Sequence, residues 1–149
     1  MAEQKIDHKN KSMETHLSKP VYDVFVVDDN YDQANILKLL INQYGIRTRF
    51  TTRSKTAYQT ILKYKPRLVI LDLMMPEVDG LNLCKLIREN PQTAHTKIVI
   101  YSGKLYDSDK RKAQLVGADL FLTKPTKSQV LIDSIRRLLN PSCDEILHN

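Results

Sequence analysis

Short apolar segments alternate with amphipathic segments along most of this 149-residue chain. The clearest apolar segment runs from Leu68 to Leu71 and contains no polar residue. Continuous apolar runs of this length are typical of strands buried on both faces, as in parallel sheets. Parallel strands need a long crossover connection, and a helix between each pair of strands supplies it. The alternation therefore predicts an α/β fold.

Five strands and five helices are predicted. Gly45 and Gly117 are expected to end the first and fourth helices, and Ser54 is expected to cap the second, which ends before Pro66. Helices that follow every strand predict a doubly wound, five-stranded parallel sheet with helices on both faces. The predicted strands are 21–27, 46–51, 67–72, 97–101 and 119–122, and the other four predicted helices are 31–44, 81–89, 107–116 and 126–139.

The chain is long enough for one domain with a hydrophobic core. Residues 1–20 are polar with few large apolar groups, which predicts a flexible N-terminal tail. We expect the folded domain at 21–140 and a short C-terminal tail at 141–149. The apolar segments are far too short to span a bilayer, and the polar N-terminus does not resemble a signal peptide. We therefore expect a cytoplasmic protein without a membrane partner.

The cysteines and the net charge suggest no further site. Cys84 and Cys143 lack metal-ligand spacing, and Cys84 is expected to pack as a small apolar residue. The formal net charge is +6, but the basic residues are scattered along the chain. No recognisable nucleic-acid-binding module accompanies them, so nucleic acid is not an expected partner. A solvated basic surface is one interpretation of the charge, and a docking face for an acidic partner is the other.

Polar side chains with complementary chemistry follow four of the predicted strands. Asp28 and Asp29 follow the first strand, Asp72 ends the third, Ser102 follows the fourth and Lys124 follows the fifth. In an open α/β sheet, ligands bind at the carboxyl ends of the strands. All five side chains are therefore expected at one edge. Taken singly, each has an ordinary structural explanation, such as a helix cap or a turn.

Three clustered carboxylates require a cation. Two carboxylates about 4 Å apart repel each other by roughly 4 kcal/mol at an effective dielectric constant near 20. Hard oxygen ligands without a nearby histidine or cysteine favour Mg²⁺, with Mn²⁺ as a substitute. Such a metal would allow an anionic phosphoryl group to approach Asp72. Lys124 would then neutralise one phosphoryl oxygen and Ser102 would donate a hydrogen bond to another.

Four sequence blocks resemble the receiver domain of two-component response regulators. These blocks are VFVVDDN, LVILDLMMPEVDG, IVIYSG and ADLFLTKP, and the resemblance covers about residues 21–139. It implies a flavodoxin-like sheet with strand order 2-1-3-4-5. It also implies that Asp72 is a phosphoacceptor, supplied by a sensor histidine kinase or a histidine phosphotransfer protein. Such a protein is a phosphoacceptor in a signalling phosphorelay rather than an enzyme.

The same resemblance implies a role for each residue of the site. Asp29 would bind Mg²⁺ directly, Asp28 mainly through water, and Met74 through its backbone carbonyl, beside Asp72. Lys124 would contact the phosphoryl group, and its bond to Pro125 would be cis.

A switch and the phosphoryl lifetime are also implied. Ser102 and Phe121 occupy the switch positions, and Phe121 would rotate into the space that Ser102 leaves. Met74, two residues after Asp72, cannot orient an attacking water, and Lys104 could pair with the phosphoryl group. We therefore expect slow autodephosphorylation.

Only ten residues follow Leu139, too few for a DNA-binding output domain, so a stand-alone receiver is expected. It would act by phosphorylation-dependent protein binding, and it could form a homodimer through the face between helices four and five. A phosphorelay intermediate or phosphate sink is the alternative. A haloacid-dehalogenase-like phosphatase would need a second acid where Met74 stands. DNA binding through the basic surface is a further alternative, and the downstream target is unknown.

Overall fold

The computed structural model describes residues 22–103 and 106–141. Within these residues, five strands alternate with five helices, as predicted. The strands are β1 (Val24–Val27), β2 (Thr48–Thr51), β3 (Leu68–Leu71), β4 (Lys97–Ser102) and β5 (Leu120–Thr123), and the helices are α1 (Tyr31–Gln43), α2 (Ser54–Tyr64), α3 (Gly80–Glu89), α4 (Asp107–Leu115) and α5 (Ser128–Leu139).

The five strands form one parallel sheet in the order β2-β1-β3-β4-β5, which confirms the predicted fold. The order reverses direction at β1, since β2 lies on one side of it and β3 on the other. Open α/β sheets bind ligands at this reversal, beyond the carboxyl ends of the strands. The segments that follow β1 and β3 therefore start next to each other.

Two apolar layers cover the two faces of the sheet. Successive side chains of a strand point to opposite faces. Accordingly, Val24 and Val26 pack with α1 and α5, whereas Phe25 and Val27 pack with α2, α3 and α4. All four side chains of β1 and all four of β3 are buried, because helices cover both faces of these central strands. This double burial explains why the two segments contain no polar residue.

Helix ends follow the local chemistry, with one correction. The side chain of Asn30 caps α1 by accepting a hydrogen bond of 3.0 Å from the backbone N–H of Gln33. Gly45 and Gly117 follow α1 and α4 with φ angles of +79° and +100°, a backbone conformation that favours glycine. The prediction that Ser54 caps α2 was wrong. Arg53 occupies the cap position without a side-chain bond, and Ser54 is the first helical residue.

Other boundaries differ from the prediction by one to three residues. β4 extends to Ser102, so the hydroxyl group lies on the last residue of the strand. α5 begins at Ser128 instead of Thr126, because Thr126 lies in the loop after β5 and its hydroxyl donates a hydrogen bond of 2.7 Å to the carbonyl oxygen of Thr123. The predicted tails at 1–20 and 141–149 lie outside the described residues, apart from Pro141.

Cys84 is fully buried in the core against α2 and α4, which confirms that it packs as a small apolar residue. Burial raises the pKa of its thiol to about 11, so the thiol stays protonated near neutral pH.

None of the helices in the described part of the chain combines the length and apolarity that a bilayer crossing requires.

Gly80 opens α3 directly against the backbone of the β3–α3 loop. A Cβ atom at this position would lie 2.8 Å from the carbonyl oxygen of Asp72 and 3.0 Å from the Cα of Leu73. Although alanine usually favours a helix over glycine, this overpacking outweighs the gain. We expect Gly80→Ala to lower the free energy of unfolding by about 2 kcal/mol in urea titrations.

Gly103 provides the matched control for that variant. A Cβ atom on Gly103 would meet no atom within 4 Å, so Gly103→Ala should leave the unfolding midpoint nearly unchanged. Equal unfolding midpoints for the two variants would contradict this prediction. They would show that a Cβ atom at position 80 fits beside the carbonyl oxygen of Asp72 without a loss of stability.

Candidate functional site

Five polar side chains meet at the carboxyl edge of the sheet. Asp28 and Asp29 follow the last residue of β1, Asp72 follows β3, Ser102 ends β4 and Lys124 follows β5. Because the strands are parallel and adjacent, these positions converge at the point where the strand order reverses. The predicted convergence of these residues is therefore confirmed.

The carboxylate of Asp72 lies at the centre of this cluster and is only 8% exposed. Its Oδ1 accepts two hydrogen bonds, of 2.8 Å from the backbone N–H of Met74 and of 3.0 Å from the hydroxyl of Ser102. Its Oδ2 accepts one, of 3.1 Å, from the ammonium of Lys124. Since a carboxylate oxygen has two lone-pair sites, Oδ1 is saturated and Oδ2 retains one site.

The ammonium of Lys124 bridges the segment between β1 and α1 and the carboxylate that follows β3. Nζ donates to Oδ2 of Asp28 at 2.8 Å, to Oε1 of Gln33 at 2.8 Å and to Oδ2 of Asp72 at 3.1 Å. It also lies 5.4 Å from the centre of the Tyr101 ring. Burial alone would lower the pKa of Lys124, but the hydrogen bond to Asp28 and the charge of Asp72 outweigh it and raise this pKa. The group therefore stays charged at neutral pH.

Three carboxylates are close enough to share one cation. Ligand oxygens of Asp28, Asp29 and Asp72 all lie within 4.8 Å of one another. Asp28 is buried and its Oδ1 accepts a hydrogen bond of 3.0 Å from the backbone N–H of Asn30, whereas Asp29 is exposed. Partial removal from water, together with the charges of Asp28 and Asp72, raises the pKa of Asp29. An all-oxygen, anionic donor set of this kind fits Mg²⁺ or Mn²⁺.

The loops beside Asp72 and Lys124 complete the site. The backbone of Met74 contacts Asp72 through its N–H, while the Met74 side chain is 57% exposed. The bond between Lys124 and Pro125 is cis, as predicted. A cavity of about 500 Å³ opens over Asp72 and is lined by Gln33, Asp72, Met74, Gly103, Lys124 and Pro125. A small anionic group can thus reach the central carboxylate from solvent.

Residues 24–136 match the family of response regulator receiver domains. This chain belongs to the response regulator receiver family. The family predicted from the four sequence blocks is therefore confirmed, and members of this family are phosphoacceptors of two-component signalling rather than classical enzymes.

Curated relatives and solved structures agree with that assignment. Protein PilG of Pseudomonas aeruginosa is 30% identical over 113 residues, which cover 76% of this chain and 84% of PilG. The transcriptional regulatory protein GltR of the same organism is 28% identical over 78% of this chain, which spans only 48% of GltR. The Francisella response regulator 1452 receiver domain is 29% identical with a TM-score of 0.73, and the match covers 81% of this chain and 98% of that one.

The two predicted switch positions of this receiver domain lie on the same face of the sheet. Ile100 pairs with Phe121 across β4 and β5, and both residues contact the core under α3 and α4. Ser102, two residues after Ile100, points to that same face and is fully buried. Phe121 is only partly buried. Lys104, the other residue expected to affect the phosphoryl lifetime, lies outside the described residues.

Two residues of this site were not predicted. Gln33, in the first turn of α1, binds Lys124, and Gly80 packs against the carbonyl of Asp72. The segment Asp28-Asp29-Asn30-Tyr31-Asp32-Gln33 contains several polar residues, and their pattern does not show which one turns towards the site. The signal available was only that Gln33 belongs to the first helical turn after the carboxylate pair.

Proposed function

We propose that this receiver domain accepts one phosphoryl group on Asp72 from the phosphohistidine of a sensor histidine kinase or a histidine phosphotransfer protein. The observation that supports the proposal most strongly is the chemical environment of the Asp72 carboxylate. A buried carboxylate with an ammonium, a hydroxyl and two further carboxylates around it opens into a solvent-accessible cavity. These are the groups that a phosphoryl transfer requires.

The transfer would proceed as a displacement at phosphorus. An oxygen of Asp72 forms the new P–O bond, the P–N bond to the donor histidine breaks, and the histidine nitrogen keeps the electron pair and takes up a proton. Lys124 is charged and already adjacent to Oδ2, so it can follow the negative charge as it moves to the phosphoryl oxygens. The Met74 N–H can hold Oδ1 throughout.

The metal site would be formed by the carboxylates of Asp28, Asp29 and Asp72 and the backbone carbonyl of Met74. A bound Mg²⁺ or Mn²⁺ would offset the repulsion between these carboxylates and an incoming phosphoryl group. Of the three carboxylates, Asp29 is the exposed one, which favours it as a direct ligand. Asp28 already binds Lys124 and the N–H of Asn30, and this favours a weaker, water-mediated contact with the metal.

Phosphorylation would then act on the switch face. Ser102 would exchange its bond to Asp72 for one to a phosphoryl oxygen, and Phe121 would turn inward into the space vacated. The neighbouring surface of α4, β5 and α5 exposes apolar side chains, with Leu115 85% and Val130 47% exposed. We infer that this surface binds a protein target or a second copy of the chain in the phosphorylated state.

The lifetime of the phosphoryl group would be long. The side chain of Met74 offers no polar group that could orient an attacking water, so hydrolysis would lack general-base or positioning help from this position. A half-life of seconds would contradict this. The proposed output is phosphorylation-dependent binding to a protein in the cytoplasm. Rapid transfer back to a histidine phosphotransfer protein would instead indicate a phosphorelay intermediate or phosphate sink.

The proposal is tested by intact-mass measurement after incubation with a small phosphodonor and Mg²⁺. The wild type should gain one phosphoryl group and Asp72→Asn should gain none. Asp133→Asn serves as a matched control, because Asp133 lies on α5, accepts a hydrogen bond from Gln129 and does not line the cavity over Asp72. Labelling of Asp72→Asn to the wild-type extent would overturn the proposal.

A further inference from the structure

Gln33 reaches the centre of the site from the first turn of α1. Its Oε1 accepts a hydrogen bond of 2.8 Å from Nζ of Lys124, and the residue lines the same cavity as Asp72. An ammonium has donors only, so it is the amide oxygen that must face Lys124. Gln33 thus provides a neutral acceptor where the other two acceptors of the ammonium are carboxylates.

Local hydrogen bonds fix the segment from which Gln33 extends. The backbone N–H of Gln33 donates to Oδ1 of Asn30, and the backbone N–H of Asn30 donates to Oδ1 of Asp28, both at 3.0 Å. The other oxygen of Asp28 binds Lys124 at 2.8 Å. Asp28, Asn30, Gln33 and Lys124 therefore form a closed ring of hydrogen bonds. This ring sets the start of α1 relative to the Lys124 ammonium.

The ring also sets the direction of the ammonium. Two of its three N–H bonds point to Asp28 and Gln33, on the segment between β1 and α1, and the third points to Asp72. A lysine side chain is flexible, and a single partner would leave the ammonium free to turn about that bond. With two partners on one side, the remaining N–H is directed at the carboxylate that faces the cavity.

We propose that Gln33 is a positioning residue for phosphoryl binding at Asp72. Together with Asp28, it holds Nζ of Lys124 so that the third N–H meets the phosphoryl group on Asp72. This inference rests on the proposed function. Gln33 acts through Lys124 and forms no side-chain hydrogen bond with Asp72, so the effect of its loss should depend on the presence of Lys124.

Beryllofluoride, which binds carboxylates as a phosphoryl mimic, provides the first test on the full chain with saturating Mg²⁺. Gln33→Met keeps the side-chain length and removes the acceptor, and it should weaken beryllofluoride binding about fivefold, as expected for one lost hydrogen bond. Gln43→Met, at the other end of the same helix, should bind like the wild type. Mg²⁺ affinity without beryllofluoride should stay unchanged in both variants. The urea midpoint should stay unchanged in Gln43→Met and fall in Gln33→Met by no more than one exposed hydrogen bond contributes.

Two further readouts separate positioning from a merely structural role. In a double-mutant cycle, Gln33→Met should cause no additional loss once Lys124→Met is present, because the two residues act as one unit. In addition, the ¹H–¹⁵N signal of the Lys124 ammonium should be visible in the wild type and in Gln43→Met, and broadened by solvent exchange in Gln33→Met.

Wild-type beryllofluoride affinity in Gln33→Met, or an equal loss with and without Lys124, would overturn the positioning role. If the wild-type chain itself takes up neither beryllofluoride nor a phosphoryl group, the proposed function fails instead. The two failures are therefore distinguishable.

Discussion

Lys124→Met is expected to slow phosphoryl transfer to Asp72 by about 10²-fold, measured as the rate of mass gain with a small phosphodonor and Mg²⁺. The ammonium is the charged donor aimed at Oδ2 of Asp72, at 3.1 Å. Methionine has nearly the same length and no charge, so the negative charge that develops on the phosphoryl oxygens would lose the cation that already contacts Asp72.

The same substitution should destabilise the metal-free protein. It leaves Asp28 and Asp72, whose side chains are 5% and 9% exposed, without their shared cation. A loss of about 3 kcal/mol is expected for removing one partner of such a buried group. Added Mg²⁺ should restore more stability to Lys124→Met than to the wild type, since the metal replaces the missing charge.

Lys127→Met is the matched control for this prediction. Lys127 is exposed, lies three residues further along the chain and precedes α5 without a side-chain cap bond. Its replacement should change neither the transfer rate nor the response to Mg²⁺. If Lys124→Met accepted the phosphoryl group at the wild-type rate, the prediction would be wrong. The ammonium would then stabilise the unphosphorylated protein without contributing to phosphoryl transfer.

Asp29→Asn is expected to weaken Mg²⁺ binding by about tenfold or more and yet to stabilise the metal-free protein. Partial burial and the charges of Asp28 and Asp72 raise the pKa of Asp29. A raised folded-state pKa means that the folded protein binds this proton more tightly than the unfolded chain does. The ionised carboxylate therefore opposes folding above that pKa, and the penalty disappears as the pH falls through it.

The two effects of Asp29→Asn have opposite signs and can be measured together. Solvent screening at this exposed side chain limits the gain in metal-free stability to less than about 1 kcal/mol at neutral pH. Asp32→Asn, in the first turn of α1, is the control. It should leave Mg²⁺ binding unchanged and cost a few tenths of a kcal/mol, because an acidic residue there favours the helix dipole. If Asp29→Asn lowered the free energy of unfolding of the metal-free protein, the prediction would be wrong. The ionised Asp29 carboxylate would then not oppose folding.

The fold could be predicted because the relevant signals are local and repeated. The uninterrupted apolar run from Leu68 to Leu71 requires burial on both faces, and a parallel sheet with helices on each side provides it. The convergence of Asp72 with Lys124 followed in turn from topology, since the carboxyl ends of adjacent parallel strands meet at one edge. Neither inference needed the conformation of any side chain.

The remaining features depend on geometry that sequence patterns do not encode. Gln33 is one of several polar residues that open α1, and only the position of Lys124 on another strand end makes it part of the site. Gly80 is needed because of the path of the loop after Asp72, which no periodicity describes. At Ser54, a good capping residue is present, but the backbone already turns helical there, so the cap position falls on Arg53.

The central claim is that Asp72, and neither of the two carboxylates within 4.8 Å of it, receives the phosphoryl group. An aspartyl phosphate reacts with hydroxylamine to leave a hydroxamate at the modified residue, and peptide mass spectrometry then locates it. After incubation of the wild-type chain with a phosphodonor and Mg²⁺, we expect the hydroxamate at Asp72 alone. A hydroxamate at Asp28 or Asp29, or a phosphoryl group that resists hydroxylamine, would contradict the account.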